Sequence, residues 1–287
     1  MSRILAGPSA TQVLGDLGAD VVKVGRPGVG DDTRKWGPPY LKDRNGDDTT
    51  ESAYYLSANR NKRSIAIDFT SPQGRDLVRR LAAKADVLVE NYRAGTLARY
   101  GLGYDQLRSG APGLVYCSIT GFGLTGPYAQ RAGYDFLIQA MGGIMSLTGE
   151  KEREPMKVGV AAADLMAGLY ATVGILGALR HRDRTGAGQH IDLSLLDTQV
   201  AWLSNAGQYY LTSGEVTPRH GNGHPTIVPY QTFRAADEWL ILAIGNDGQF
   251  ARFCGFAGRP ELAEDPRFAN NAARVGNREV IVPIVAG

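Results

Sequence analysis

The stretch KRSIAIDFTSPQGRDLVRRLAAKADVLVENY (62–92) decides the fold. Its two ends, KRSIAIDF (62–69) and DVLVENY (86–92), are short runs rich in Ile, Val and Leu that read as strands. Between them SPQGRDLVRRLAAKA (71–85) opens on a Ser-Pro cap and closes in cationic residues, which predicts a helix. Strand, helix and strand of these lengths make a crossover unit of a parallel sheet. The same texture extends outward. ADVVKV (19–24) and GLVYCSI (113–119) read as further strands, and TQVLGDLG (11–18) as a helix. GYDFLIQAMGGIMSLTG (133–149) reads as helical before the loop EKEREPMK, and QHIDLSLLDTQVAWLSNAG (189–207) as a strand turning into a helix. The alternation predicts an α/β fold: a Rossmann-like, mostly parallel sheet with crossover helices.

From about Thr212 the texture changes. SGEVTPRHGNGHPTIVPYQTF (213–233) is dense in turn residues, and then DEWLILAIGN (237–246) reads as a strand followed by a helix. The expected organisation is a large domain over 1–211, a glycine-rich linker or lid over 212–224, and a smaller α+β domain over 225–287. That last segment is short for an independent domain, and it is expected to be truncated.

Composition narrows the function classes. With 43% hydrophobic and 21% charged residues and a net charge of +2, the chain is an ordinary globular sequence with no electrostatic footprint for nucleic acid or an anionic membrane. Cys117 and Cys254 have no metal-ligand spacing and read as free thiols of a reducing cytoplasm. The opening MSRILAGPSATQVLGDLGAD turns polar too soon for a signal peptide. There is no GxGxxG after a strand, no GxxxxGK[ST] and no HExxH, so neither a nucleotide fingerprint nor a zinc motif is present. His220 and His224 are the one closely spaced histidine pair, and their glycine-rich surroundings favour a loop role over a metal.

Asp164 stands out. It is the one charge in VGVAAADLMAGLYATVGILGAL (158–179), and an ionised carboxylate is costly to bury without a partner. It reads as the N-cap of the apolar helix that follows, as a nucleophile stabilised by that helix end, or as both. A membrane span is the poorer reading, because the stretch is rich in Ala and Gly and carries an acid at depth.

Several stretches, in order, resemble the family III CoA-transferases, a group that includes formyl-CoA transferase, carnitine CoA-transferase and α-methylacyl-CoA racemase. They are LAGPSATQVLGDLGADVVKVGRPGVGDDTR (5–34), NKRSIAIDFTSPQGRDLV (61–78), ADVLVENYRAGTLARYGLGYDQL (85–107), AGYDFLIQAMGG (132–143), AAADLMAGLYATVGILGAL (161–179) and TGAGQHIDLSLLD (185–197). The resemblance implies CoA transfer from an acyl-CoA to a carboxylic acid, through an aspartyl-CoA intermediate on Asp164. It implies coenzyme A as substrate, with no prosthetic group and no metal. Arg26, Ile67, Asn91, Tyr92 and Arg99 match the family's CoA-contacting positions. Tyr134 and Asp135 fall beside the acyl group, and Gly221, Gly223 and His224 fall on the glycine-rich lid. The family forms interlocked homodimers. HPTIVPYQTF (224–233) resembles members that take dicarboxylate acyl groups such as succinyl-CoA.

Two alternatives stay open at this point. A racemase of the same family places a histidine where Tyr134 stands, and tyrosine is a poor base near neutral pH because its ordinary pKa is about 10. An inactive CoA-binding fragment is the other, since the family's first strand and the end of its small domain are expected to be missing. Gly25 also departs from the family pattern, which commonly has glutamate there.

Overall fold

The computed structural model describes every residue from Met1 to Gly287, and the chain divides into two units: Met1–Ile144 with Lys157–Ser204, and Met145–Met156 with Asn205–Gly287. In the first unit the order is α1 (Ala6–Asp16), β1 (Val21–Gly25), a 3-10 turn (Asp32–Lys35), β2 (Tyr40–Lys42), β3 (Asp48–Ser52), α2 (Ala53–Ser57), β4 (Lys62–Ala66), α3 (Pro72–Ala82), β5 (Val87–Glu90), α4 (Thr96–Arg99), α5 (Tyr104–Arg108), β6 (Val115–Thr120) and α6 (Asp135–Met141). A turn, α7 (Ile144–Leu147), leads out of it, and α8 (Ala162–Thr185), β7 (His190–Ser194) and α9 (Leu195–Ala201) complete it.

The fold is mixed α/β with parallel ladders. β1 and β4 run parallel with Val21 opposite Lys62 and Gly25 opposite Ala66. β5, β6 and β7 form a second parallel ladder in that order, with Glu90 opposite Ser118 and Ser118 opposite Asp192. Only β2 and β3 pair antiparallel in this unit. The crossover helix of 62–92 forms as its sequence predicts: Pro72 opens it and the Ser71 hydroxyl accepts the Gly74 N–H at 3.0 Å. Gly74 is required there, because a Cβ would fall 1.8 Å from the Asp68 carbonyl oxygen. The helix joins two ladders rather than neighbouring strands, since β4 is bonded to β1 and β5 to β6.

β6 is buried along its whole length, which is why its sequence carries no alternation. Val115, Cys117 and Ile119 enter a core with α1 and α8, while Tyr116 enters a second core with Leu88, Leu102 and Leu114. α8 is 24 residues long and is the one helix long and apolar enough to cross a membrane. Its small residues have another use. Ala163, Ala167, Ala171 and Ile175 make one buried face, and at Gly168 a Cβ would meet the Ala6 carbonyl oxygen at 3.0 Å. The Ala and Gly content lets α1 and α8 pack backbone to backbone.

The second unit holds most of α10 (Ser204–Ser213), an antiparallel pair β8 (Tyr230–Arg234) and β9 (Trp239–Ala243), and α11 (Asp247–Phe256), α12 (Glu261–Glu264), α13 (Asn271–Gly276) and α14 (Arg278–Ala286). This unit also takes in Met145–Met156 and begins at Asn205. It encloses a core of Val228, Ile244, Phe250, Cys254, Leu262, Phe268 and Ile281. At its centre lies Arg274, fully buried, with its guanidinium donating to the Val228 and Phe268 carbonyls at 2.7 and 2.8 Å and to Asp247 at 2.7 Å. A buried cation with all these partners fixes the unit's loops at one arrangement.

Candidate active site

Asp164 is the third residue of α8, not its cap: the N-cap position is Ala161, whose side chain caps nothing. The cap comes from elsewhere. Asp135, at the start of α6, accepts the Ala163 N–H at 2.8 Å and the Asp164 N–H at 3.3 Å through one carboxylate oxygen. Its other oxygen accepts from the Gln139 amide at 2.8 Å, and Gln139 in turn accepts the Val158 N–H at 2.8 Å. Asp135 thus anchors the helix end and the approach to it. The Asp164 carboxylate is left without a hydrogen-bond donor. Burial, and after it the Asp135 charge, pushes its pKa up to about 7.

That carboxylate borders a cavity of about 650 Å³. Its walls come from the Arg3–Ala6 segment, from Asn91–Ala94 beyond β5, from Ile119–Gly121 at the end of β6, and from Gly133 and Tyr134. Carboxyl ends of parallel strands are where open α/β sheets place ligands. Gly121 and Gly133 make part of the wall possible: a Cβ on either would lie 2.4–2.5 Å from the other's Cα. Glu90 fixes the start of the β5 loop by accepting the Tyr92 N–H at 2.8 Å.

The predicted residues do not all converge. Asn91, Tyr92, Tyr134 and Asp164 line the cavity, and Asp135 sits behind Asp164. Ile67 is buried in the Tyr92 core, and its N–H donates to the Gly25 carbonyl at 3.0 Å, next to Arg26. Phe69 packs edge-on to both Tyr92 and Tyr100, at 5.4 and 5.5 Å, which brings the Ile67 segment and the neighbour of Arg99 to one cluster. Gly221, Gly223 and His224 belong to the second unit. There Gly221 has a left-handed φ of 57° and donates to the Gly149 carbonyl, and the Arg219 guanidinium donates to the carbonyls of Glu150, Lys151 and Arg153. His224 is engaged too, its ring nitrogen accepting the Thr226 N–H at 3.2 Å. No group of three or more His, Cys, Asp or Glu side chains is placed to hold a metal ion.

Two residues escaped the sequence reading. Tyr54 is half-buried, and burial followed by the charges of Asp164 and Asp135 holds its phenol above the ordinary tyrosine range. Trp36 packs edge-on to it at 5.0 Å. Trp36 closes the 3-10 turn and Tyr54 lies on the short helix α2, on either side of the β2–β3 pair, in a stretch whose aperiodic sequence gave no signal.

An unpaired carboxylate in the wall of a strand-end cavity, with a second carboxylate behind it, suits covalent acyl chemistry. The sequence model of CoA-transferase family III matches residues 1–286. The chain belongs to CoA-transferase family III. Among its relatives, the succinate–glutarate CoA-transferase of Agrobacterium fabrum is 51% identical over 286 residues, a match covering 100% of this chain and 71% of that protein. The mouse succinyl-CoA:glutarate CoA-transferase is 48% identical over 286 residues, covering 100% of this chain and 64% of that protein. The chain thus spans a little under two thirds of the mouse relative's length. The crystal structure of a CAIB/BAIF family protein from Brucella suis is similar throughout, with a TM-score of 0.87 and 54% identity over 100% of this chain and 75% of that one.

Proposed function

We propose that this family III chain moves CoA from succinyl-CoA to a small dicarboxylic acid, with Asp164 as the nucleophile. One observation carries the reading: the Asp164 carboxylate is unpaired, largely withdrawn from water and exposed to the cavity. A raised pKa makes its oxygen more nucleophilic once ionised, because basicity and nucleophilicity rise together. An Asp164 oxygen attacks the thioester carbonyl, the C–S bond breaks, and CoA thiolate leaves a mixed anhydride behind. The thiolate attacks the aspartyl carbonyl, releasing succinate and forming an aspartyl-CoA thioester. The acceptor carboxylate displaces thiolate to form a second anhydride. The thiolate then attacks the acceptor carbonyl, which yields the new CoA thioester and frees Asp164. No proton or electron is consumed.

Arg26 and Arg99 suit the phosphates of CoA, as guanidinium forks do. Ile67, Asn91 and Tyr92 supply the wall along its pantetheine arm. Tyr134 and Asp135 serve the acyl end, and Gly221, Gly223 and His224 form the lid. The names of the two glutarate-dependent relatives favour a dicarboxylate acceptor. Leu165, Leu169, Val173 and Leu176 leave an exposed apolar stripe along α8, which supports an assembly with a second copy, the interlocked homodimer. Two buried free thiols are in keeping with the cytoplasm.

The test is intact-protein mass spectrometry after incubation with succinyl-CoA and trapping with hydroxylamine or borohydride. An adduct on the native chain that is absent in Asp164→Ala supports the reading. A folded, CoA-binding sample that takes no adduct under these conditions sinks it.

A further inference from the structure

The Ser2–Ile4 segment is held almost entirely by side chains. Lys23 Nζ donates to the Ser2 carbonyl at 3.1 Å. The Asn91 amide grips Arg3 on both sides, its Oδ1 accepting the Arg3 N–H at 2.9 Å and its Nδ2 donating to the Arg3 carbonyl at 2.7 Å. Asp31 Oδ1 accepts the Ile4 N–H at 3.2 Å, and its other oxygen pairs with Lys23 at 2.8 Å. These bonds converge on a strained residue. Ile4 has φ of 65°, a left-handed conformation that is a true outlier for a β-branched side chain. Such strain persists only where the surroundings over-determine it. Directly after it, Leu5 and Ala6 continue the cavity wall that contains Asp164.

We propose that Asn91 is a positioning residue, whose amide locks Arg3 and Ile4 into the bend that shapes the wall beside Asp164. The inference rests on the assignment of transfer chemistry to Asp164. It also reassigns the Asn91 side chain. With one amide N–H and one lone pair of its oxygen bound to Arg3, the Asn91 side chain is oriented before CoA arrives, and the bend it fixes is what it contributes to this wall. Replacing Ile4 with glycine removes the conformational penalty and makes the clamp less necessary.

The experiment is a double-mutant cycle of Asn91→Ala and Ile4→Gly, reading single-turnover CoA transfer, binding of free CoA by calorimetry, and hydrogen exchange of the Ser2–Ala6 segment. For Asn91→Ala the expected outcome is a fall in the transfer rate of about tenfold, from the misplaced wall, with CoA affinity within about twofold of native. Exchange at the segment speeds up, and adding Ile4→Gly restores much of the rate. The proposal is overturned if Asn91→Ala weakens CoA binding by one factor whether or not position 4 is glycine, since that marks a direct CoA ligand. An unchanged transfer rate also overturns it. If the native chain transfers nothing, the assignment to Asp164 falls on its own. The clamp is then judged by exchange alone, where faster exchange supports it and unchanged exchange removes it. Should Asn91→Ala not fold, Asn91→Asp keeps the acceptor for the Arg3 N–H and sets a charged oxygen against the Arg3 carbonyl in place of the donor; there the segment's exchange and the rescue of the transfer rate by Ile4→Gly are the readouts.

Discussion

Asp31 and Asp164 are the same side chain in one unit, and their surroundings drive them apart. Asp31 is 4% exposed, and burial alone would raise its pKa. The Lys23 charge and hydrogen bond, with the N–H and hydroxyl of Thr33, outweigh burial and hold the carboxyl below its usual range. Asp164 faces burial and the like charge of Asp135 with no donor of its own, and rises to about 7. What drives the two carboxylates apart is the set of donors around each, not burial alone.

The largest expected effect breaks the comparison at its reactive end. On the proposed mechanism Asp164→Asn removes the nucleophile and is expected to lower transfer by at least about 10³-fold, measured as CoA exchange between succinyl-CoA and glutarate. The same change raises stability. A carboxyl whose folded pKa lies above its unfolded value destabilises the fold as pH climbs from about 4 to about 7, and the full penalty remains above that. Denaturant unfolding at about pH 8 is expected to show Asp164→Asn more stable than native by roughly 1–3 kcal/mol, a gap that closes below about pH 4. A variant that is less stable at both pH values would mean that Asp164 is a structural residue.

At the other end, Asp31→Asn leaves Lys23 buried without its counter-charge and removes an anion that organises Thr33 and Ile4. The expected loss is about 3–5 kcal/mol of unfolding free energy at neutral pH. The sign is opposite to that at Asp164. A depressed carboxyl contributes stability above its unfolded pKa, near 4, and that contribution disappears as the pH falls through the folded value. Native and Asp31→Asn unfolding curves should therefore converge in acid. Curves that stay parallel down to about pH 3 would show that the Lys23 pair adds nothing net.

Much of the first unit was legible because its signals are local. A Ser-Pro cap, runs of Val and Ile, and a lone acid in an apolar stretch can all be read without knowing what lies opposite. What failed was anything that depends on a distant partner. Asp164 resembles an N-cap in sequence, yet the cap is Asp135, 29 residues earlier, and only the packing of α6 against α8 brings them together. Tyr54 reaches the electrostatic field of Asp164 from the five-residue helix α2, too short to show a periodicity. In the second unit the buried Arg274 gave no signal, because arginine is a residue type usually found at the surface. Asn91 was expected to contact CoA, and its grip on Arg3, 88 residues away, left no trace in the sequence.

The smallest expected effect sharpens the comparison through Asp135. Its charge is the second cause of the raised Asp164 pKa, after burial. With Asp164 as the proposed nucleophile, transfer needs its ionised form, so single-turnover rates of the native chain should fall on the acid side of about pH 7 and level off above it. Asp135→Asn keeps an oxygen to accept the Ala163 and Asp164 N–H groups while removing the charge. Its acid limb should move to lower pH, so that at about pH 6 the variant retains a larger share of its own plateau rate, roughly a few-fold more than native does. The position of the limb is the readout, because plateau height also reports any change in acyl orientation. A limb that stays in place would leave burial as the sole cause of the shift. It would also reduce Asp135 to the cap of α8, and the contrast with Asp31 would then rest on the missing donors alone.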